Sequence, residues 1–465
     1  MGETINQFQW RSRSAFVVVT AAAILSLNDF LTLPILAGEH GGGAFLMLYL
    51  LFLSLLGLPL MMAELMLGRI SRTDPVHGLE LLAQQSQASA CWKLIGFLAV
   101  IVALLVVSTL SVISGWALAY FFKSALGVYQ PISVETASML FDQFVMDSER
   151  MAFWHTLFVV LLVSMAAQPV KIGIQKLSFF LLPMMLVLLM IALAVVVDSP
   201  GFTRSVKHFL YADFSAINAE MVLLALQRAF YTLALGIGVM MAFGRYMPSS
   251  ISIGYSAGLV IIVDLLFSLF IGLVIHALMF SSGMITGFDH QFAFRLLPAI
   301  FAQYPFGEWF GALFFLLLFL AALTTSIALM EGPVGYLQRQ FHHSRLKAAI
   351  MAVLSVWLLG MGVVFSYNVW QGDEITLALF LADDAVRLVN AAGFHDILIF
   401  FSSYLIQPVV ALLICLFVAW VMPRAISFGA LSLSRRYQFE IWHYLMRYIT
   451  PALLLAVCLK SIGVI

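Results

Sequence analysis

Apolar residues run along this chain in long blocks, not in the alternating patterns of a soluble domain. Near 14–37, 41–67, 93–123, 153–168, 176–197, 219–246, 251–280, 308–338, 346–366, 396–421 and 441–464 the sequence stays hydrophobic over lengths suited to a membrane helix, with polar residues and turn formers between the blocks. This pattern predicts an all-α polytopic membrane protein of about eleven transmembrane helices, since a helix closes its own backbone hydrogen bonds in hydrocarbon. Two blocks are interrupted. The first carries Ser26, Asn28, Asp29 and Pro34, and the sixth carries Gly236 and Gly238 within Tyr231-Thr232-Leu233-Ala234-Leu235-Gly236-Ile237-Gly238. An Asp at the centre of a membrane helix costs about 2.5–3.5 kcal/mol on insertion scales, so Asp29 predicts a lined cavity or an ion site with a partner nearby, the alternative being a helix-end Asp at the interface.

The interruptions sit five spans apart, which predicts inverted repeats over 14–197 and 219–421, with 441–464 an additional helix of a single transporter domain spanning 1–465. Unwound backbone at such breaks frees carbonyls for cations and N–H groups for anions. The alternative for Gly236 and Gly238 is that they only let helices pack closely.

Composition agrees with the pattern: the chain is 63% hydrophobic and 10% charged, with a mean hydropathy of +1.04. Lys+Arg and Asp+Glu balance at 23 each, so orientation rests on where the basic residues fall. With the N-terminus inside, Arg11, Arg13, Arg69, Arg72, Lys93, Lys171, Lys176, Arg245, Arg339, Arg345, Lys347, Arg424, Arg435 and Arg436 face the cytoplasm, and the C-terminus lies outside. The outer loops are acidic, with Glu135, Asp142, Asp147, Glu149, Asp373, Glu374, Asp383 and Asp384. Cys91, Cys415 and Cys458 suggest neither a disulfide framework nor a metal site. No cleavable signal peptide, phosphate-binding loop or nucleic-acid patch is evident, and the spans offer no nucleophile–base pair for an enzyme. The expected partners are the bilayer and a small molecule; oligomeric state is not readable.

Motifs now accumulate in order: Trp10, Asn28-Asp29-Phe30, Pro34, Glu39-His40-Gly41-Gly42-Gly43-Ala44-Phe45, Tyr49, Gly57-Leu58-Pro59-Leu60, Glu64-Leu65-Met66-Leu67-Gly68-Arg69, Gly173 through Pro183, Phe230 through Gly238, Ala321 through Glu331, and Arg447-Tyr448-Ile449-Thr450-Pro451. Together they resemble the neurotransmitter:sodium symporter family over essentially the whole chain. The resemblance implies the fold of the bacterial leucine transporter, placement in a bacterial inner membrane, and alternating access between spans one, three, six and eight. It places Ala22, Leu25, Ala321, Thr324 and Thr325 on the family's second sodium site. The alternative for the two threonines is that they only bond their own helix.

The departures are as informative. Ile24, Asp29, Thr232 and Asp264 fall on the first sodium site, where the family has Asn at both aspartate positions, and Ala23 replaces a further Asn. Around the family's chloride site Tyr49, Thr232 and Ser268 remain, Arg228 replaces a Gln and Asp264 an Asn. A fixed carboxylate there repels an anion, so chloride independence is the expectation. Asp29 and Asp264 against Arg228 leave a net charge of minus one, to be met by sodium, a proton or the substrate's ammonium group; the alternative is a static Asp264–Arg228 pair with Asp29 hydrated or capping the half-helix. The substrate pocket maps onto Leu25, Ser26, Leu27, Asn28, Val106, Leu110, Tyr231, Ala234, Ile237, Thr325 and Leu329, with Leu110 replacing a tyrosine that holds carboxylates in relatives. Among gate residues Trp10 and Tyr246 persist. Thr32 replaces an outer Arg, its acidic partner falls on Ile399 with Asp396 a turn away, and Gln7 and Arg339 stand where relatives carry an inner Arg and Asp. The function expected is sodium-coupled symport of a small apolar amino acid or related amine. Proton-coupled or sodium-independent transport or exchange, and a non-transporting sensor, remain as alternatives.

Overall fold

The structure is a computed structural model that describes residues 9–25, 27–129, 132–282, 292–304, 306–372, 375–381, 384–433 and 435–464. Nine helices are long and apolar enough to cross a membrane among these residues: Gly43–Ser71, Ala90–Ala125, Ser148–Ala166, Lys171–Val197, Ile253–Ser281, Gly307–Gln340, Arg345–Ser366, Phe394–Val421 and Arg436–Ser461. The other two spans are the interrupted ones, and their pieces are each too short alone. The first is Arg13–Ile24 followed by Leu27–Glu39, and the sixth is Ala219–Tyr231 followed by Val239–Gly244. Eleven spans result, as the hydrophobic pattern predicts.

The loops hold more structure than the pattern shows. Val134–Met146 and Pro200–Leu210 are helices, the latter packed along the seventh span. A two-stranded antiparallel hairpin, Ile375–Leu381 with Asp384–Ala392, is the exception to an all-helical chain among the described residues. Asp142, expected on a solvated acidic face, pairs with Arg295 at 2.8 Å.

The two broken spans share the eighth span and otherwise have different neighbours. The pieces of the first pack chiefly on the fifth, seventh and eighth spans, while those of the sixth pack chiefly on the second, eighth and last spans. Contact is closest where Val239–Gly244 crosses the second span: a Cβ on Gly68 would lie 2.0 Å from the Met241 carbonyl oxygen, and one on Gly244 2.3 Å from that of Leu65. Small residues bring membrane helices together in this way, where packing replaces the hydrophobic drive. The second span then adds polar ties: Arg69 Nη1 donates to the Ile251 carbonyl at 2.8 Å and Arg72 Nη1 to that of Arg245 at 3.0 Å.

Gly68→Val and Gly244→Val are each expected to destabilise the purified protein by about 1–3 kcal/mol, the usual cost of overpacking a tight contact. Thermal unfolding in detergent measures this; unchanged midpoints in both variants would show that the crossing is loose.

Candidate functional site

A helix that stops inside a bilayer leaves backbone groups that protein must satisfy. At the first break Leu25 N–H still bonds the Ala21 carbonyl at 3.1 Å, but with ψ 81° its own carbonyl leaves the helix line. That oxygen accepts the hydroxyl of Thr325 on the eighth span at 3.3 Å. Ala22, Leu25 and Ala321 are fully buried, and Thr324 and Thr325 nearly so. Thr324 Oγ1 donates back to the Leu320 and Ala321 carbonyls at 3.0 and 2.9 Å, the self-bonding expected as its alternative role, which leaves the oxygen's lone pairs unused. Five oxygens of the predicted set therefore come from two elements that meet. Oxygens on one hard cation at roughly 2.3–2.6 Å and a right angle lie roughly 3.3–3.7 Å apart, so the Leu25–Thr325 spacing fits two ligands of one ion. Ser26 and the side chains of residues 27–31, Asp29 among them, lie outside the described residues, as does Gln7.

The sixth span breaks by changing hand. Ala234, Gly236 and Gly238 have φ of 49°, 76° and 80°, a region open to glycine and strained for alanine. Two buried side chains close the loop: Glu64 Oε1 accepts the Gly236 N–H at 2.7 Å, and Gln407 Nε2 donates to the Leu235 carbonyl at 2.9 Å. Neither was assigned a role from sequence. The signal was present for Glu64, a carboxylate within an apolar span, whereas Gln407 carries no charge to attract notice.

Beside this loop, Thr232 Oγ1 donates to Asp264 Oδ2 at 3.1 Å, which joins two residues expected at the first sodium site. Both are fully buried, and Ile24 and Ala23 are nearly so. Arg228 is 4% exposed and one turn before Thr232, whose N–H bonds the Arg228 carbonyl at 3.1 Å. Ser268 lies one turn beyond Asp264, with its hydroxyl buried and without a hydrogen-bond partner among the described residues; Tyr49 is fully buried as well. Of the expected pocket residues, Ile237 and Leu329 are buried, and Val106, Leu110 and Ala234 are half-buried. Tyr231 turns its hydroxyl away from the break, donating to the Ser403 carbonyl at 2.9 Å and meeting Ser461 Oγ at 3.2 Å.

Both gates differ from an ion pair at the expected positions. Thr32 is half-buried, and Asp396 serves its own helix, accepting the Gly393 N–H at 3.2 Å. At the other end Trp10 is 2% exposed; its N–H bonds the Tyr246 carbonyl at 3.0 Å, its Nε1 donates to Phe243 at 3.1 Å, and its ring meets Tyr246 edge-on. Arg339 reaches Thr73 Oγ1 at 2.6 Å. The charge at this end centres on Glu331, 2% exposed on the eighth span. It accepts from Arg245 Nη2 at 2.7 Å, from the Tyr246 hydroxyl at 2.7 Å and from Arg345 Nη2 at 2.6 Å. Arg245 also touches the Tyr246 hydroxyl. One carboxylate thus ties the sixth, eighth and ninth spans, a grouping that residue-by-residue reading of the expected gate pair does not reveal.

Removing one partner from a buried ionic group leaves the others uncompensated, which typically costs about 3–5 kcal/mol. Glu331→Gln strands two guanidinium groups and is expected to lose about that much stability, more than Arg245→Gln, which leaves the Arg345 pair intact. Thermal unfolding of the two variants checks the order, and equal, small losses would show that the cluster is solvated.

Comparison with known proteins agrees with this geometry. A family model described as the Sodium:neurotransmitter symporter family matches residues 7–131 and 145–465. The uncharacterized sodium-dependent transporter YhdH of Bacillus subtilis (strain 168) is 30% identical over 460 residues, covering 98% of each chain. An uncharacterized sodium-dependent transporter of Haemophilus influenzae is 24% identical over 460 residues, covering 97% of this chain and 98% of its own. The crystal structure of MhsT in complex with L-phenylalanine superposes with a TM-score of 0.85 at 28% identity, over 98% of this chain and 100% of that one. Broken first and sixth spans, a polar meeting of the first break with the eighth span and a match over almost the entire length lead to one conclusion: the chain is an integral membrane transporter belonging to the sodium:neurotransmitter symporter family.

Proposed function

We propose that the protein couples inward sodium movement to uptake of a small apolar amino acid or related amine, by alternating access around the two breaks. The carrying observation is the meeting of the Leu25 carbonyl with Thr325 at 3.3 Å. With the carbonyls of Ala22 and Ala321 and the hydroxyl of Thr324, these oxygens form an uncharged set suited to a weakly held monovalent cation, whereas divalent ions recruit carboxylates. The names of the two bacterial relatives, both uncharacterized sodium-dependent transporters, are in keeping with the same ion.

The substrate class rests on an apolar lining, Val106, Leu110, Ala234, Ile237 and Leu329, and on backbone polar groups at the breaks that suit the charged ends of an amino acid. Backbone N–H groups of Leu27 and Asn28 are the proposed carboxylate site. L-phenylalanine in MhsT is an apolar amino acid, in keeping with this choice. The chain is placed in a bacterial inner membrane with its N-terminus inside, which puts the Glu331 cluster at the cytoplasmic end. On this reading 14–197 and 219–421 are the inverted repeats.

Thr324→Ala combined with Thr325→Ala is expected to reduce sodium-dependent stabilisation or uptake at least about tenfold, since both side-chain oxygens go and no charge remains to hold the ion. A substrate panel assayed for thermal stabilisation in sodium and in choline reads this directly. Stabilisation that is equal in both salts, with uptake driven by a pH gradient, would replace sodium by a proton carried through Asp264.

Replacing chloride by gluconate is expected to leave uptake nearly unchanged, because Asp264 supplies fixed negative charge beside Thr232 and Ser268. Strict chloride dependence in proteoliposomes would show that Arg228 offsets that charge and restores an anion site.

A further inference from the structure

Outside the transport path, the strongest unexplained feature is the positive charge where the tenth span ends and the last begins. From Met422 to Tyr448 the sequence carries Arg424, Arg435, Arg436 and Arg447 against a single acid, Glu440, which is spent on Arg436 at 4.0 Å. Arg447 sits well inside the last span, Arg436–Ser461. Its guanidinium lies 4.2 Å from the centre of the Trp420 ring and 5.7 Å from that of Tyr448. Its Nε is buried without a hydrogen-bond partner among the described residues. Arg424, Arg447 and Glu440 all lie within electrostatic reach of His443, whose buried ring nitrogens are likewise without a partner among the described residues.

The surroundings show which way this charge faces. One side of the last span is turned into the protein: Trp442 Nε1 donates to the Pro59 carbonyl at 3.0 Å, Thr450 Oγ1 to that of Leu55 at 3.2 Å, and Met446 is fully buried. The other side presents Tyr444 and Tyr448, 57% and 52% exposed, beside Trp420 at 55%. Trp420 stands in the final turn of its span, ahead of Pro423, the level at which aromatic rings mark the edge of the hydrocarbon. A guanidinium at that edge is within reach of lipid headgroups, and stacking on two rings leaves its charge open to an anion arriving from the lipid side.

We propose that the surface where Arg447 stacks on Trp420 and Tyr448, with Arg424 just past the end of the tenth span, binds the phosphate of an anionic phospholipid. The two arginines attract the headgroup, and its chains run along the exposed tyrosine face. A zwitterionic lipid is a poorer occupant, because its own cation meets the same two arginines. On the orientation proposed above this is the cytoplasmic leaflet, where anionic lipid adds attraction for basic residues near the surface. The site is independent of the sodium and substrate assignments.

The full-length protein, reconstituted in nanodiscs of phosphatidylcholine with or without phosphatidylglycerol, provides the test. Phosphatidylglycerol is expected to raise the unfolding temperature and to stay bound in native mass spectrometry. Affinity is expected to fall roughly fivefold for each arginine removed in R424Q and R447Q, whereas R435Q keeps it. Inorganic phosphate added to phosphatidylcholine discs is expected to give no such rise. Should R447Q fail to fold, R424Q and W420L carry the test through the same lipid readout. A phosphatidylglycerol effect that survives in R424Q and W420L, that is lost equally in R435Q, or that free phosphate reproduces would overturn the site.

Discussion

Every backbone N–H and carbonyl freed inside a bilayer has to be met by protein, and that requirement organises this molecule. A continuous helix meets it without help. The first and sixth spans do not, and their breaks are tolerated because named side chains on other spans answer the freed groups: Thr325 for Leu25, Glu64 for Gly236, Gln407 for Leu235. The partners come from the eighth, second and tenth spans, so each break is fixed only once the bundle has assembled around it. The same economy makes the breaks useful. Carbonyls and N–H groups held by a few side chains can be offered to an ion or a substrate, which the same groups inside a helix cannot.

The two breaks differ in how they are held. The first lies against an eighth span lined with alanine and threonine, where small side chains let the backbones come near and the polar partner is a neutral hydroxyl. The sixth is clamped by a buried carboxylate and an amide and closed by three residues of positive φ. Ala234 is the outlier among these, since it holds a strained conformation with no glycine to ease it. Strain of this kind persists where the surroundings over-determine it, as the ties to Glu64 and Gln407 do on either side of the loop.

Charge inside the bundle follows a similar rule. Glu331 is surrounded by two guanidinium groups and a phenol, and Asp264 takes a hydroxyl from Thr232. At the inner gate Arg339 stands where relatives carry an Asp, and it binds a threonine. A different acid, on the same span, joins three spans at that end. A buried group of this kind is weak evidence for added stability, because desolvation offsets much of the attraction. Its stronger effect is to make one arrangement of those helices cheaper than any that separates the partners.

The sequence by itself determined the membrane class, the eleven spans and the location of both breaks, because each depends on local properties: the length of apolar runs, the cost of a carboxylate, the permissiveness of glycine. It also reached the Leu25–Thr325 and Thr232–Asp264 pairings, through resemblance to a family whose motifs it shares. Only the tertiary structure decided which residues hold the breaks open. Glu64 and Gln407 lie 343 positions apart and meet neighbouring groups of one loop, and no local rule links an amide on the tenth span to a carbonyl on the sixth. The same holds for Tyr231, whose ring was expected in the pocket by position, while its rotamer and the neighbours Ser403 and Ser461 set where its hydroxyl points. Loop helices and the hairpin over 375–392 escaped for a related reason: their short, mixed segments gain stability from what they pack against, which the order of residues does not display.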